Sequence, residues 1–384
     1  MGHEEAIQLG GAFDHDDDHA RAHEVLMDLI ASPINFSDIH IELERPLMLR
    51  MPMGWQEVTD YPPFTAGDIS AFLTSIDPDW QANISYAAIS RAIDLMSCRL
   101  RVNAYTIGSG LSIAINVRRQ PLNPLSLEET GLPMYLRTLL DQPKGLILFT
   151  GPTGVGKTTS MAAMLDYINK TRHAHIVTIE DPIEYVHSRR KSIFSQKEVK
   201  VDTPSFAQGL RDALRQKPDV IMVGEIRDRD TADTVFLAAE SGHLVLASLH
   251  TNSAKGSLNK MLSWFPDETP HRARSLADTL HCVVSQTLVP NGDGSDRVLA
   301  TEVLMNQTDE VREMIEQPDK YGALVDWMRS GRDKMSHTLN QSLCRLVKEQ
   351  SITPRDALRH TNDRLELHGL LNPNGAGAPT PRYS

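Results

Sequence analysis

Eight consecutive residues, Gly151-Pro-Thr-Gly-Val-Gly-Lys-Thr158, restrict the fold more than any other stretch of the 384-residue chain. Their spacing is that of a Walker A phosphate loop, and both flanks agree with it. Residues 146–149 are an apolar run of the buried-strand kind, and residues 158–168 have amphipathic helical spacing. Such a loop must turn out of a strand and into a helix. Its glycines let backbone N–H groups point inward around phosphate oxygens, where the helix N-terminus adds partial positive charge. Lys157 is then expected to reach the β- and γ-phosphates of ATP, and the Thr158 hydroxyl to bind Mg²⁺. The candidate nucleotide site comprises Gly151, Pro152, Thr153, Gly154, Val155, Gly156, Lys157, Thr158 and the following Thr159.

A phosphate cradle alone could serve a kinase, a GTPase or a motor, and the downstream strands narrow the choice. Residues 175–179 are a second apolar run ending in Glu180-Asp-Pro-Ile-Glu184; residues 220–223 are a third, ending in Gly224-Glu225. In an open parallel sheet, residues just beyond the strand C-termini face the ligand crevice. Glu180, Glu184 and Glu225 could there hold a metal's waters and orient or deprotonate the attacking water. A single glutamate at a strand end is ordinarily just solvated; two clusters beside a phosphate loop carry more weight. The third strand lacks the Asp that P-loop enzymes commonly use for Mg²⁺, so Glu225 has to cover or share that role. A fourth run is bracketed by His243 and His250. Seven steps along a regular strand span roughly 23 Å, so the two rings cannot read one phosphate. His250, at the C-terminal end, is the candidate γ-phosphate sensor. His243 follows Gly242 and has a structural reading as well.

The fold class expected from these runs is α/β, a mostly parallel sheet with helices on both faces over residues 134–306. Before it, short β-like pieces alternate with helical ones over residues 26–118, a smaller α+β domain. Residues 119–133 carry Pro121, Pro124, Gly131 and Pro133 and read as a linker. Residues 307–371 are helical in pattern, and residues 372–384, rich in Pro and Gly, are expected to be a flexible tail.

Residues 1–25 are expected to be a disordered acidic arm. Residues 1–45 hold eleven acids against two bases, a net −9 of the chain's −11. His15, His19 and His23 recur every fourth residue and could form a metal face if helical, although mixed Asp/His runs are usually solvated. No basic face is evident for duplex binding, so nucleic acid is disfavoured as a direct substrate. No run of about 18 apolar residues and no signal-peptide core are present, so membrane association is expected to be peripheral. Cys98, Cys282 and Cys344 are scattered, encode neither a disulfide framework nor a zinc ribbon, and fit a reducing cytoplasm.

The ordered set of motifs resembles the PilT-type secretion ATPases, which include pilus-retraction motors and the DotB-like ATPases of type IVB secretion and conjugation. The matching pieces are Ser37-Asp-Ile-His-Ile41, Arg99-Leu-Arg-Val-Asn103, Glu128-Glu-Thr-Gly-Leu-Pro133, the phosphate loop and Ile179-Glu-Asp-Pro-Ile-Glu-Tyr185, continuing through residues 218–228, 242–251 and 285–290. The resemblance implies a PAS-like N-terminal domain joined to a RecA-like ATPase domain, assembled as a homohexamer. It names the 180–184 stretch an Asp box, the 220–225 stretch an atypical Walker B with Gly in place of Asp, and the 243–250 stretch a His box. Glu225 becomes the catalytic carboxylate supported by Glu184. Arg101 and Arg118 match arginines that complete the site between domains or subunits, with Arg215 and Arg227 as alternates.

Two branches compete within that resemblance. Retraction motors carry an Ala-Ile-Arg-Asn-Leu-Ile-like helix after the core. Here the stretch reads Glu310-Val-Arg-Glu-Met-Ile315, keeping Arg312 and Ile315. With the acidic arm, this favours a cytoplasmic motor that energises type IVB secretion or conjugative transfer by docking on inner-membrane components. A pilus-retraction motor is the alternative, and a nucleotide-binding scaffold with little turnover the second.

Overall fold

The computed structural model describes residues 21–95 and 98–372. The chain divides into two units, Met1–Leu122 with Asp293–Arg297, and Asn123–Gly292 with Val298–Ser384.

The first unit is a six-stranded sheet with helices. Its elements are α1 (Arg21–Ala31), β1 (Asp38–Glu42), β2 (Leu47–Met51), β3 (Gly54–Val58), α2 (Ala66–Ile76), α3 (Trp80–Tyr86), β4 (Ile89–Asp94), β5 (Cys98–Ile107) and β6 (Ser112–Pro121). The order is β3-β2-β1-β6-β5-β4, and every pair is antiparallel. Period-two patterning explains the burial: Cys98, Leu100, Val102 and Ala104 of β5 point inward, while Arg99, Arg101 and Asn103 are only partly covered. Those apolar side chains join one core with Val25, Leu26 and Leu29 of α1 and Ile69, Phe72 and Leu73 of α2. This architecture is the PAS-like domain that the resemblance implied.

Two boundaries differ from the sequence expectation. Residues 21–25, assigned to the acidic arm, open α1. Ala22, Val25, Leu26, Leu29 and Ile30 share a buried stripe, and burying it outweighs the local acidity. Arg21 further donates at 3.0 Å to the buried Asp68. His23 is exposed on α1; His15, His19 and the rest of the arm lie outside the described residues, as do residues 373–384 of the tail. Within the expected linker, residues 119–121 complete β6, and Leu127 and Leu132 are buried among Leu136, Leu139 and Met164 of the second unit.

The second unit alternates strand and helix: β7 (Gly145–Thr150), α4 (Lys157–Thr171), β8 (His175–Glu180), β9 (Ile193–Glu198), α5 (Phe206–Leu214), β10 (Val220–Val223), α6 (Arg229–Glu240), β11 (Leu244–Leu249), α7 (Ala254–Ser263), α8 (Thr269–Thr279), β12 (Leu280–Pro290) and β13 (Arg297–Met305). Five helices follow: α9 (Asp309–Glu316), α10 (Tyr321–Ser330), α11 (Leu339–Lys348), α12 (Pro354–His360) and α13 (Arg364–Leu371). The sheet order is β13-β12-β7-β11-β10-β8-β9, parallel from β12 through β9. Strands β7, β10 and β11 are buried at every residue, which is why they read as unbroken apolar runs. Leu146, Leu148, Ile221 and Val245 face α5–α10 on one side; Ile147, Phe149, Met222 and Leu246 face α4 on the other. Helices α11–α13 close a separate small core against Val289 and Ala300 of the last two strands. This is the RecA-like α/β arrangement. Among the described residues no helix is long and apolar enough to cross a membrane.

Candidate functional site

The topology brings the C-terminal ends of β7, β8, β10 and β11 side by side, with β7 next to β11, β11 next to β10 and β10 next to β8. The phosphate loop leaves β7 there. Gly151 sits at φ 139°, and a Cβ at that position would lie 2.6 Å from the Gln286 carbonyl oxygen and 2.8 Å from Val155. Only glycine fits on both counts. Lys157 opens α4, is 8% exposed, and its ammonium donates to the carbonyl oxygens of Gly151 at 2.7 Å and Pro152 at 2.9 Å. Burial lowers its pKa, and the charges of Glu225 and Glu184 oppose that shift. Those carboxylates therefore share an electrostatic site with the lysine. Thr158 is half-buried one residue further on. Thr159, counted with the nucleotide site, instead pairs its hydroxyl with that of Tyr185 at 2.9 Å.

Glu225 follows β10 and is clamped from two sides. Its Oε1 accepts from Arg227, and its Oε2 meets His250 Nε2 at 3.0 Å. An ionised carboxylate only accepts, so Nε2 of His250 carries the hydrogen. Burial alone would raise the Glu225 pKa, but the hydrogen bonds and charges of Arg227 and His250 outweigh it and hold the carboxyl below the usual range. Arg227 also reaches Asp181 at 3.3 Å, so the Asp box and the atypical Walker B are joined by one guanidinium. Gly224, where an Asp is more usual, sits tightly: an added Cβ would lie 3.2 Å from the Ile179 carbonyl oxygen, so the backbone there would have to give by a few tenths of an ångström, and 3.5 Å from the Phe206 ring.

Glu180 behaves differently from the exposed strand-end carboxylate that the sequence suggested. It is 4% exposed, and its Oε1 accepts from Thr178 at 2.7 Å and Gln196 at 3.3 Å. Burial dominates and raises its pKa to about 7. Glu184, half-buried, lies one helical turn's length along the chain, its amide 3.5 Å from Glu180 Oε2.

The two histidines separate as expected from strand geometry. His250 is at the crevice; His243, at the opposite end of β11, packs its Nδ1 near Ser241 Oγ and the Ala238 carbonyl, both at 3.1 Å. Arg215, an alternate cation, caps the C-terminal end of α5 ahead of β10, on the side of the N-terminal strand ends and so opposite the phosphate loop, and pairs only loosely with Asp212 at 3.8 Å. Arg101 and Arg118 belong to the first unit, facing each other across β5 and β6. Arg118 is held by Asp38 at 2.8 Å.

Three supporting contacts had no sequence signal. Thr251 donates its amide at 3.1 Å to Thr150 Oγ1, tying the His250 segment to the residue before the loop. Ser248 Oγ donates to the Gly224 carbonyl at 2.5 Å. Gln286 donates at 2.7 Å to Ser160 behind the loop, with both groups buried. Each links residues far apart in sequence, so only the strand order reveals it.

Residues 87–366 match the family model described as type II/IV secretion system protein. Over 325 residues the chain is 37% identical to the type IV pilus retractation ATPase PilT of Pseudomonas aeruginosa, spanning 84% of this chain and 93% of that protein. Among solved structures, the pilus retraction motor PilT with bound ADP superposes with a TM-score of 0.77 at 37% identity, over 90% of this chain and 98% of that one. The ATPase DotB of Legionella pneumophila gives a TM-score of 0.77 at 26% identity, over 91% of this chain and 95% of that one.

Proposed function

The chain belongs to the type II/IV secretion system protein family and is an ATPase, and on that footing we propose that it is a ring-forming, Mg²⁺-dependent motor that retracts type IV pili. The observation that supports retraction over the secretion branch favoured by the sequence reading is the 37% identity to a pilus retractation ATPase across 93% of that protein's length. The helix used to argue for secretion weighs less than it seemed to from its letters. In α9, Val311 and Ile315 are buried in the ATPase core and Met314 packs against them, while Glu310 and Glu313 are exposed. The departures at Glu310 and Glu313 fall on that exposed face, where substitution costs little, and those at Val311 and Met314 stay apolar in or against the core.

In this reading, the loop amides and Lys157 grip the β- and γ-phosphates, and Thr158 supplies a hard oxygen to Mg²⁺. The ion, when bound, neutralises charge on the phosphates. Glu225 was expected to serve as a metal ligand as well; with Oε1 given to Arg227 and Oε2 to His250, we assign it instead to orienting the attacking water, and Thr158 is the residue that would hold the ion. Its lowered pKa makes it a weak proton acceptor, which suits phosphoryl transfer, where positioning outweighs proton abstraction. Glu184 adds negative charge on the water side. His250, hydrogen-bonded to Glu225, reports the state of the γ-phosphate to α7. Glu180 is a buried support for the Asp box, not a group at the water. Arg101 and Arg118 remain the cations that a neighbouring copy in a hexamer would supply. The motor works in the cytoplasm and docks peripherally on inner-membrane parts of the pilus apparatus.

Expression of the chain in a bacterium that makes pili but lacks its retraction ATPase tests the proposal. Surface motility returns with the wild-type chain and fails with Lys157→Ala. Motility left at the null level by a chain that does hydrolyse ATP overturns retraction. A secretion role keeps one specific support, the equal TM-score to DotB, and restored conjugative transfer in the parallel assay would favour it.

A further inference from the structure

We propose that Glu302 on β13 is a positioning residue for ATP hydrolysis, setting the start of α7 and through it the seat of His250 against Glu225. The inference rests on the reading of Glu225 and His250 given above.

Helix N-termini leave amides without intrahelical acceptors, and a carboxylate placed there satisfies them and complements the helix dipole. Glu302 does this for α7: its Oε1 accepts the Ala254 amide, the first of that helix, at 2.7 Å. Helix α7 has its own side-chain cap besides, Ser253 accepting from Gly256 at 3.0 Å, so Glu302 fills an amide that this cap leaves over. Burial raises the Glu302 pKa, and backbone amides pull it back.

Only Thr251, Asn252 and Ser253 separate Ala254 from His250, so a shift at the first turn of α7 is passed to His250 through a short segment. The segment is anchored again where Thr251 meets Thr150 at 3.1 Å and its hydroxyl pairs with Ser257 at 2.7 Å. The Glu302 carboxylate on β13 thus anchors the helix that follows the His250 segment, and an altered Glu302 loosens that anchor.

Steady-state hydrolysis by the full-length chain tests this. Glu302→Ala removes the cap, and Glu302→Gln keeps a carbonyl acceptor for the Ala254 amide but gives up the charge. We expect kcat to fall about tenfold to a hundredfold for Glu302→Ala, the scale set by small misplacements of catalytic groups, with KM changed less than about twofold and Glu302→Gln in between. In a double-mutant cycle, Glu302→Ala added to His250→Ala lowers kcat no further than His250→Ala alone. If Glu302→Ala does not fold, the cycle runs with Glu302→Gln. Wild-type kcat in both Glu302 variants, a rise in KM with kcat intact, or losses that multiply in the double variant overturn the inference. Glu225→Gln is run alongside: wild-type turnover there overturns the site reading itself, whereas its collapse beside unaffected Glu302 variants overturns only this proposal.

Discussion

Glu225→Gln separates the chemical role of the carboxylate from its structural one. The side chain is 15% exposed and has a hydrogen-bond donor on each oxygen, Arg227 on one and His250 on the other. Glutamine keeps the size and one acceptor but gives up the charge and the water-orienting oxygen. General-base and water-orienting groups contribute about 10²–10⁴ in rate, which corresponds to about 3–5 kcal/mol of barrier. The structural cost is far smaller. Arg227 is 53% exposed and retains Asp181 at 3.3 Å, and His250 is 47% exposed, so screened pairs of this kind are worth at most about 1 kcal/mol. The two magnitudes do not overlap. Phosphate-release assays on the full-length chain should show kcat reduced at least about a hundredfold, with a fluorescent ATP analogue binding within severalfold of wild type. Differential scanning fluorimetry should move Tm by only a few degrees. A rate loss below tenfold, or a loss of binding matching the loss of rate, would refute the assignment of Glu225 to the water.

Two further substitutions read the environment of the site. Glu180 has its pKa raised from 4.5 to about 7 by burial; between those values the unfolded chain has released the proton and the folded chain has not, so stability falls as pH rises through that window. Glu180→Gln should then stabilise the protein at pH 8 on the order of 3 kcal/mol and change little at pH 4.5, and equal Tm differences at both pH values would contradict this. Gly224→Asp introduces a Cβ 3.2 Å from the Ile179 carbonyl; it should destabilise the fold by about 1–3 kcal/mol in a urea titration and leave turnover below wild type, despite restoring the residue common at that position elsewhere.

What could be read from the letters alone follows a physical division. The phosphate loop was legible because its chemistry needs contiguous residues in one order. Strands β7, β8, β10 and β11 were legible because burial on both faces forces unbroken apolar runs. Edge strand β9 was not, since Ile193–Glu198 carries Ser, Gln, Lys and Glu and none of its residues is fully buried. Strand β3 and helix α3 were equally masked by polar residues. Helix α1 was hidden by the acids before and within it, although its apolar stripe was present. Within the site, Glu225, His250 and Lys157 announced themselves as residues at strand ends and in a loop. The burial of Glu180 did not, because it depends on Gln196 from a strand that pairs alongside. The choice of branch leaned on the spelling of α9 alone: Glu310 and Glu313 lie on its exposed face, whereas Val311 and Met314 remain apolar in or against the core, so the stretch separates the two branches less than its letters suggested.

The grip of Lys157 on the carbonyls of Gly151 and Pro152 bears on how such an engine completes its stroke. A buried ammonium stripped of partners would be costly, and a pocket built that way would resist surrendering spent ADP. On the function proposed above, the cation would trade phosphate oxygens for the peptide oxygens of the same loop, and discharge of product would leave no stranded charge behind. The cradle would then carry its own substitute guest at the step where tight binding could otherwise become a brake.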